Sequence, residues 1–210
     1  MTDSMADRAA DRETIAVYDA RVRDYVRMTD SPQENPGLVS FMELLPASGT
    51  VLDLGCGPGS SAAVLKRNGF DVEAVDASAE MVRFTRQTHG IAARQATFEN
   101  AFPAAAYDGI WANFSLLHAP RARLPHLIAK FAASLRDGGI FHIGMKTAGK
   151  DQPVEARDGL GRYYAYYSRG ELMAMFAACG LFPVREFTGE GTGLSGEMAS
   201  WIEIQARRTV

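Results

Sequence analysis

Apolar positions along the chain follow two alternating rhythms. From Ile15, the residues Ile15, Tyr18, Val22 and Tyr25 fall three and four apart, the spacing of a helix with one buried stripe; Arg21, Arg23 and Arg27 lie outside that stripe. The prolines and glycine of Ser31–Gly37 stop this helix, and a short one over Leu38–Leu45 ends at Pro46. Thr50–Leu54 (TVLDL) predicts a buried strand, Ser60 to Asn68 a helix, and Asp71–Val75 (DVEAV) a second strand. Ser78 then caps a helix running to His89. Ala92–Phe98 predicts a third strand, Tyr107–Ala112 a fourth, Pro120–Leu135 a helix and Gly139–Met145 a fifth strand. Strands separated by helices of this length call for a parallel sheet covered on both faces. The end differs. After a helix over Ser168–Cys179 come a strand at Leu181–Phe187, a loop holding Gly189, Gly191, Gly193 and Gly196, and a strand at Ser200–Ala206. Two strands joined without a helix predict an antiparallel hairpin at the sheet edge, on one doubly wound, Rossmann-like α/β domain.

Composition narrows the function classes. The 210 residues, 47% hydrophobic and 22% charged, suit one globular domain and exclude disorder, collagen and coiled coil. With 22 basic against 25 acidic side chains the net charge is −3, so nothing global attracts nucleic acid, and the arginines of the first helix read as a solvated face. Cys56 and Cys179 are too few for a disulfide framework and read as reduced thiols. The first twenty residues are polar and no apolar run reaches membrane-spanning length, so the expectation is a cytoplasmic protein without a membrane partner. No spacing of histidine, cysteine and carboxylate suggests a metal site. Nothing in the sequence bears on the oligomeric state.

The stretch Val51-Leu52-Asp53-Leu54-Gly55-Cys56-Gly57-Pro58-Gly59-Ser60 carries the chemistry. A strand runs into a turn with glycine at alternate positions and then into a helix, at the strand end where open parallel sheets bind ligands. A dinucleotide fingerprint needs glycine or alanine at the sixth position from Gly55, which here is Ser60. Asp53, two residues before Gly55, would repel a pyrophosphate and suits an ammonium group. Asp76, 21 residues after Gly55, ends the second strand and can accept from both hydroxyls of a ribose. S-adenosylmethionine carries an amino-acid head and a ribose on one molecule.

VLDLGCGPGS, followed by AVDASAEMV, YDGIWANFSLLHAP and LRDGGIFHIGMK, resembles the class I S-adenosylmethionine-dependent methyltransferases, in order, over roughly Thr50 to Lys146. The segment after the fifth strand is similar to small bacterial members of that family. The resemblance implies a seven-stranded sheet with its last strand antiparallel, and a core over residues 47–146. A helical cap over 1–46 would precede it, and a substrate-side loop with the edge hairpin, over 147–210, would follow. It places Asp53, Gly55, Cys56, Gly57 and Gly59 around the methionine moiety, Asp76 at the ribose, and Ala77 and Met81 at the adenine. Thr97 and Phe98 take the place near the adenine amino group; Glu99 falls one or two positions from the family's usual acidic residue, so the backbone around Phe98 is the expected partner. Asn113, Phe114 and Ser115 would lie beside the sulfonium, and Tyr18 and Tyr25 would close over the cofactor from the first helix, the alternative being that their stripe simply docks that helix. S-adenosylhomocysteine would be the product.

The acceptor side is less legible. His118, after the fourth strand, is the candidate general base, the alternative being that it bonds a loop carbonyl or caps the next helix. His142 reads as strand packing, His89 and His126 as surface positions, and Lys146 as a pocket candidate at a strand exit. The run Tyr163-Tyr164-Ala165-Tyr166-Tyr167 holds four of the seven tyrosines. Arg162 with Tyr163 or Tyr164 is expected to line an acceptor pocket, against the alternative of a segment packed on the sheet edge. No N-P-P-Y-like motif follows the fourth strand, where Asn113-Phe114-Ser115 stand instead, so a small-molecule acceptor is expected, with oxygen, nitrogen or sulfur as the methylated atom. Two rivals are a non-enzymatic cofactor-binding module and a nicotinamide-dependent oxidoreductase, the latter disfavoured by Ser60 and Asp53.

Overall fold

The computed structural model describes residues 11–29, 35–148 and 153–209. Strands β1 (Thr50–Leu54), β2 (Asp71–Asp76), β3 (Arg94–Gln95), β4 (Tyr107–Asn113), β5 (Leu135–Lys146), β8 (Leu181–Thr192) and β9 (Met198–Arg208) form one sheet in the order β3-β2-β1-β4-β5-β9-β8. The first five run parallel, and β9 is antiparallel to both β5 and β8. The chain leaves β1 toward β2 on one side and returns to β4 on the other, which opens a crevice at the carboxyl end of β1.

Helices cover both faces. On one, α3 (Pro36–Glu43) and α4 (Ser60–Arg67) bury Leu38, Phe41 and Leu65 against Val51, Trp111 and Ile140. On the other, α6 (Leu124–Ser134) and α7 (Arg169–Ala178) pack Leu127, Phe131 and Phe176 on Phe141, Ile143 and Ile204. Local chemistry sets the helix starts. Asn35 caps α3 with Pro36 in its first turn; Ser78 caps α5 (Ala79–His89); Ser168 and Glu171 form a capping box on α7. No helix among the described residues is long and apolar enough to cross a membrane.

Several expected elements differ. The single N-terminal helix is two, α1 (Arg12–Ala20) and α2 (Val22–Thr29), because the backbone leaves helical geometry at Arg21. The break after it, residues 31–34, lies outside the described residues. The third strand shrinks to two residues at the sheet edge. Tyr163–Ala165 is a strand, β7, paired with β6 (Glu155–Arg157) in a separate two-stranded ribbon. Gly189 and Gly191 are not loop residues: they lie in β8 opposite Trp201 and Ala199, and a Cβ on Gly189 would strike the indole. Those glycines seat the Trp201 ring.

Phe131 is fully buried and packs edge-on against Phe102, ring centroids 5.3 Å apart. Phe131→Ala should lower the unfolding free energy by about 3–5 kcal/mol, read as a fall in the urea midpoint at unchanged m-value.

Candidate active site

The loop after β1 is pinned to β2. The backbone N–H groups of Gly55 and Cys56 both donate to the Val75 carbonyl, at 2.8 and 2.9 Å. Gly55 and Gly57 have φ of +78° and +53°, a region that favours glycine, and a Cβ on Gly55 would strike Ser115. Asp76 accepts from the N–H groups of Gly57 and Ser78, both at 2.8 Å. Asp53 is 2% exposed, and its Oδ2 has no hydrogen-bond partner among the described residues. Burial, then the charge of Asp76, pushes its carboxyl up to about 8.

A cleft runs from this loop across the ends of β1, β2 and β4. Its walls include Tyr18, Tyr25, Gly55, Gly57, Asp76, Ala77, Met81, Thr97, Phe98, Asn113, Phe114, Ser115 and His118, so thirteen expected residues converge here. Thr14 and Ile15 of α1 join them, missed in the sequence although Ile15 marks the start of the apolar stripe. The Ser115 Oγ is a second buried polar atom without a partner. Beyond the adenine end, the Phe98 carbonyl is held by Lys130 at 2.5 Å and the Thr97 N–H by Asn100 at 2.7 Å. Gly59 lines neither this cleft nor its neighbour; its φ of +85° starts α4, and a Cβ would meet Thr85 at 2.5 Å. Cys56 lines the neighbouring cavity, with its thiol packed against Ala62, Ala63 and Val82.

His118 is not placed as a free base. Its Nδ1 lies 2.7 Å from the Tyr163 carbonyl and must donate there, so Nε2 accepts from the Tyr18 hydroxyl at 2.9 Å. Burial holds its pKa down at about 4. Arg162 donates to the same hydroxyl at 3.0 Å and pairs with Asp158 at 2.6 Å, both side chains being 2% exposed or less. The expected acceptor residues therefore have other tasks. Arg162 latches α1 to the segment before β7. The Tyr163 hydroxyl bonds Glu155, Tyr164 is buried beside His118, and the Lys146 ammonium rests 3.9 Å above the Tyr164 ring. None of the four lines the cleft described above, and the tyrosine segment packs in its own ribbon with β6 and not on the edge of the main sheet.

His142, by contrast, supports the site. Gln205 accepts from Ser40 at 3.0 Å and donates to the Gly37 carbonyl at 2.7 Å and to His142 Nδ1 at 3.4 Å. That leaves His142 Nε2 to donate to the Asn113 amide oxygen at 3.1 Å. The imidazole is stacked 3.6 Å from Trp111. This buried chain orients the Asn113 amide so that its NH2 is the free end.

A second cavity, about 810 Å³, opens on the α3–α4 side of the same loop. It shares Tyr25, Gly55, Gly57, Asn113 and Phe114 with the cleft, so these five form a neck between the two spaces. Asp53 lies on its near wall; Trp201, Phe187 and Glu203 belong to its lining. The last three sit on the edge hairpin and carried no motif.

The profile of the methyltransferase domain family matches residues 25–185. The chain belongs to that family, with the class I, S-adenosylmethionine-dependent fold. It is 40% identical over 106 residues to a trans-aconitate 2-methyltransferase of Azoarcus sp. (strain BH72), covering 48% of this chain and 40% of that protein. The chain spans about half, or less, of the length of the curated relatives it matches. Among solved structures it is similar to the 1,6-didemethyltoxoflavin N1-methyltransferase of Burkholderia thailandensis, bound to 1,6-didemethyltoxoflavin and S-adenosylhomocysteine (TM-score 0.72, 24% identity, 98% of this chain and 93% of that one). The [4+2]-cyclase SpnF has the same fold (TM-score 0.73, 16% identity, 96% and 97% covered).

The residues present fit S-adenosylmethionine as cofactor. The unpartnered Asp53 oxygen can take an ammonium group, and the glycine neck leaves backbone open to a ligand that a Cβ would exclude. Because the Asp53 pKa is raised, its carboxyl is protonated below about pH 8 in the free protein, whereas a cationic head selects the ionised form. Binding of S-adenosylhomocysteine at pH 7 should therefore release a proton, and affinity should climb between pH 6 and pH 8, by at most about tenfold per unit. Calorimetry in buffers of different ionisation enthalpy reads the proton; Asp53→Asn should flatten the profile, and a flat wild-type profile would contradict the assignment. Arg162→Met should cost about 3–5 kcal/mol in chemical denaturation, since it leaves the Asp158 carboxylate buried without its partner.

Proposed function

We propose that this protein transfers the methyl group of S-adenosylmethionine to a small-molecule acceptor by in-line displacement. The observation that carries the reading is the buried, unpartnered Asp53 carboxyl at a glycine neck joining the cleft over the ends of β1, β2 and β4 to a second cavity. In this reading Asp76 takes the ribose, Ala77 and Met81 flank the adenine with Thr97 and Phe98 across from them, and Asn113, Phe114 and Ser115 border the sulfonium. Tyr18 and Tyr25, with rings 5.5 Å apart and edge-on, cover the cofactor from α1 and α2.

The bound cofactor supplies an already activated methyl group. What remains for the protein is alignment and the exclusion of water. Asn113, held by His142, offers a fixed NH2 at the neck, and the two tyrosines close the solvent side. A cavity lined by Asp53 and Glu203, in a chain of net charge −3, suits a small acceptor better than a nucleic acid. Trans-aconitate, on which the Azoarcus relative acts by name, is a polyanion. Asp53 and Glu203 face this cavity, and Arg67 is the one cation among its lining residues, so an uncharged or cationic acceptor fits better.

Calorimetric titration should show binding of S-adenosylmethionine and S-adenosylhomocysteine at about micromolar Kd and none of NADH. Asp76→Ala should weaken both adenosyl ligands at least about tenfold, the loss of hydrogen bonds to a charged acceptor. Mass spectrometry of a metabolite panel incubated with the cofactor then reads methyl transfer. Folded protein that binds neither adenosyl ligand would overturn the reading, and binding without transfer to any panel member would favour a non-catalytic module.

A further inference from the structure

The far wall of the second cavity is made by the edge hairpin and centres on one carboxylate. Glu203 is 5% exposed, lines the cavity and receives no hydrogen bond from the described residues; its pKa is pushed up to about 7 by burial. It pairs with Gly144 of β5, which pairs with Asn113 of β4, so its backbone lies two strand spacings, roughly 10 Å, from that of Asn113 at the neck. The cavity between these walls, about 810 Å³, has room for a flat ring.

Three glycines shape this wall. A Cβ on Gly37 would strike the Glu203 carboxylate, one on Gly144 the Asn113 amide oxygen, and one on Gly189 the Trp201 ring. Trp201 and Phe114 meet edge-on at 6.3 Å, with an interplanar angle of 86°, so one presents a face where the other presents an edge. Phe187 adds a third aromatic surface. A buried carboxylate without a hydrogen-bond donor is costly until one meets it. When ionised, Glu203 disfavours an anion beside it.

We propose that this cavity is the acceptor site, that it takes a flat heteroaromatic molecule bearing an N–H donor, and that Glu203 accepts that hydrogen bond while Trp201, Phe187 and Phe114 hold the ring. Glu203 is then the residue that sets acceptor specificity. The inference rests on the methyl-transfer reading for the word acceptor, but the binding site stands on its own geometry.

Benzimidazole and benzimidazole-5-carboxylate share the ring and differ in charge. Titrated into the protein with and without S-adenosylhomocysteine, benzimidazole should bind at least tenfold tighter than its carboxylate. Glu203→Gln should bring that ratio toward one and leave S-adenosylhomocysteine affinity unchanged. Trp201→Leu should weaken both rings alike and keep the ratio. Failure of both rings to bind the homocysteine-loaded protein, or a ratio that survives Glu203→Gln, overturns the proposal. If the wild type bound the rings with this Glu203 dependence but no adenosyl ligand, the methyl-transfer reading would fall and the site would remain.

Discussion

Two carboxylates at the ends of adjacent strands set the terms for this site. Asp53 and Asp76 are brought together by the parallel pairing of β1 with β2, and each raises the cost of ionising its neighbour. Backbone N–H groups of the glycine loop and of Ser78 meet Asp76, while Asp53 keeps an oxygen open. A protein without a cation to place there would gain by replacing Asp53 with an apolar residue. The loop geometry follows from the same constraint, since only glycine at 55 and 57 turns the backbone far enough to donate to Val75 and Asp76 at once.

Two polar chains hold the remaining walls, and each ties a sequence-distant element to the site. Ser40, Gln205 and His142 connect α3 and β9 to Asn113; Asp158, Arg162 and Tyr18 connect the segment before β7 to α1 and His118. Ser40, His142, Gln205 and Arg162 are buried, the other members half-buried, and the polar groups that join them satisfy one another. Such chains fix rotamers and tautomers that packing alone leaves open. The cap helices thus contribute shape and position, and their contacts reach the cofactor cleft through groups that never leave the protein.

The cofactor half was legible because it is local. Asp53, the glycines and Asp76 lie within one strand–helix–strand unit, so spacing alone brings them together, and alternation of strand and helix decided the parallel sheet. The other half was not. Asn35, Trp111 and Glu203 meet only through strand order, and nothing in the run from Met198 to Arg208 marks Glu203 as anything but an edge residue. The tyrosine run misled for a related reason. Composition suggested a pocket, but Asp158 provides a buried partner for Arg162, and that pair turns the segment inward as packing. Gly189 and Gly191 look like loop residues until the indole paired across from Gly189 is known. His142 alternates as a strand residue should; its role depends on Gln205, 63 residues away.

Charge balance at the neck explains why His118 is neutral. In the proposed reading a sulfonium cofactor brings positive charge to the Asn113–Ser115 end of the cleft, and a protonated imidazole beside it would oppose binding. Burial keeps the His118 pKa near 4, and the Tyr163 carbonyl and Tyr18 hydroxyl together fix a neutral tautomer. Arg162, one hydrogen bond further out, is neutralised by Asp158. Arg162 is thus paired, the imidazole neutral and the Lys146 ammonium set over the Tyr164 ring, while the carboxyl left open to a cation is Asp53. A base for the acceptor, where its chemistry needs one, cannot be found on the His118 side without undoing that arrangement. The carboxylate on the opposite wall, Glu203, carries no such conflict: it stands two strands from Asn113, and its charge attracts a cation.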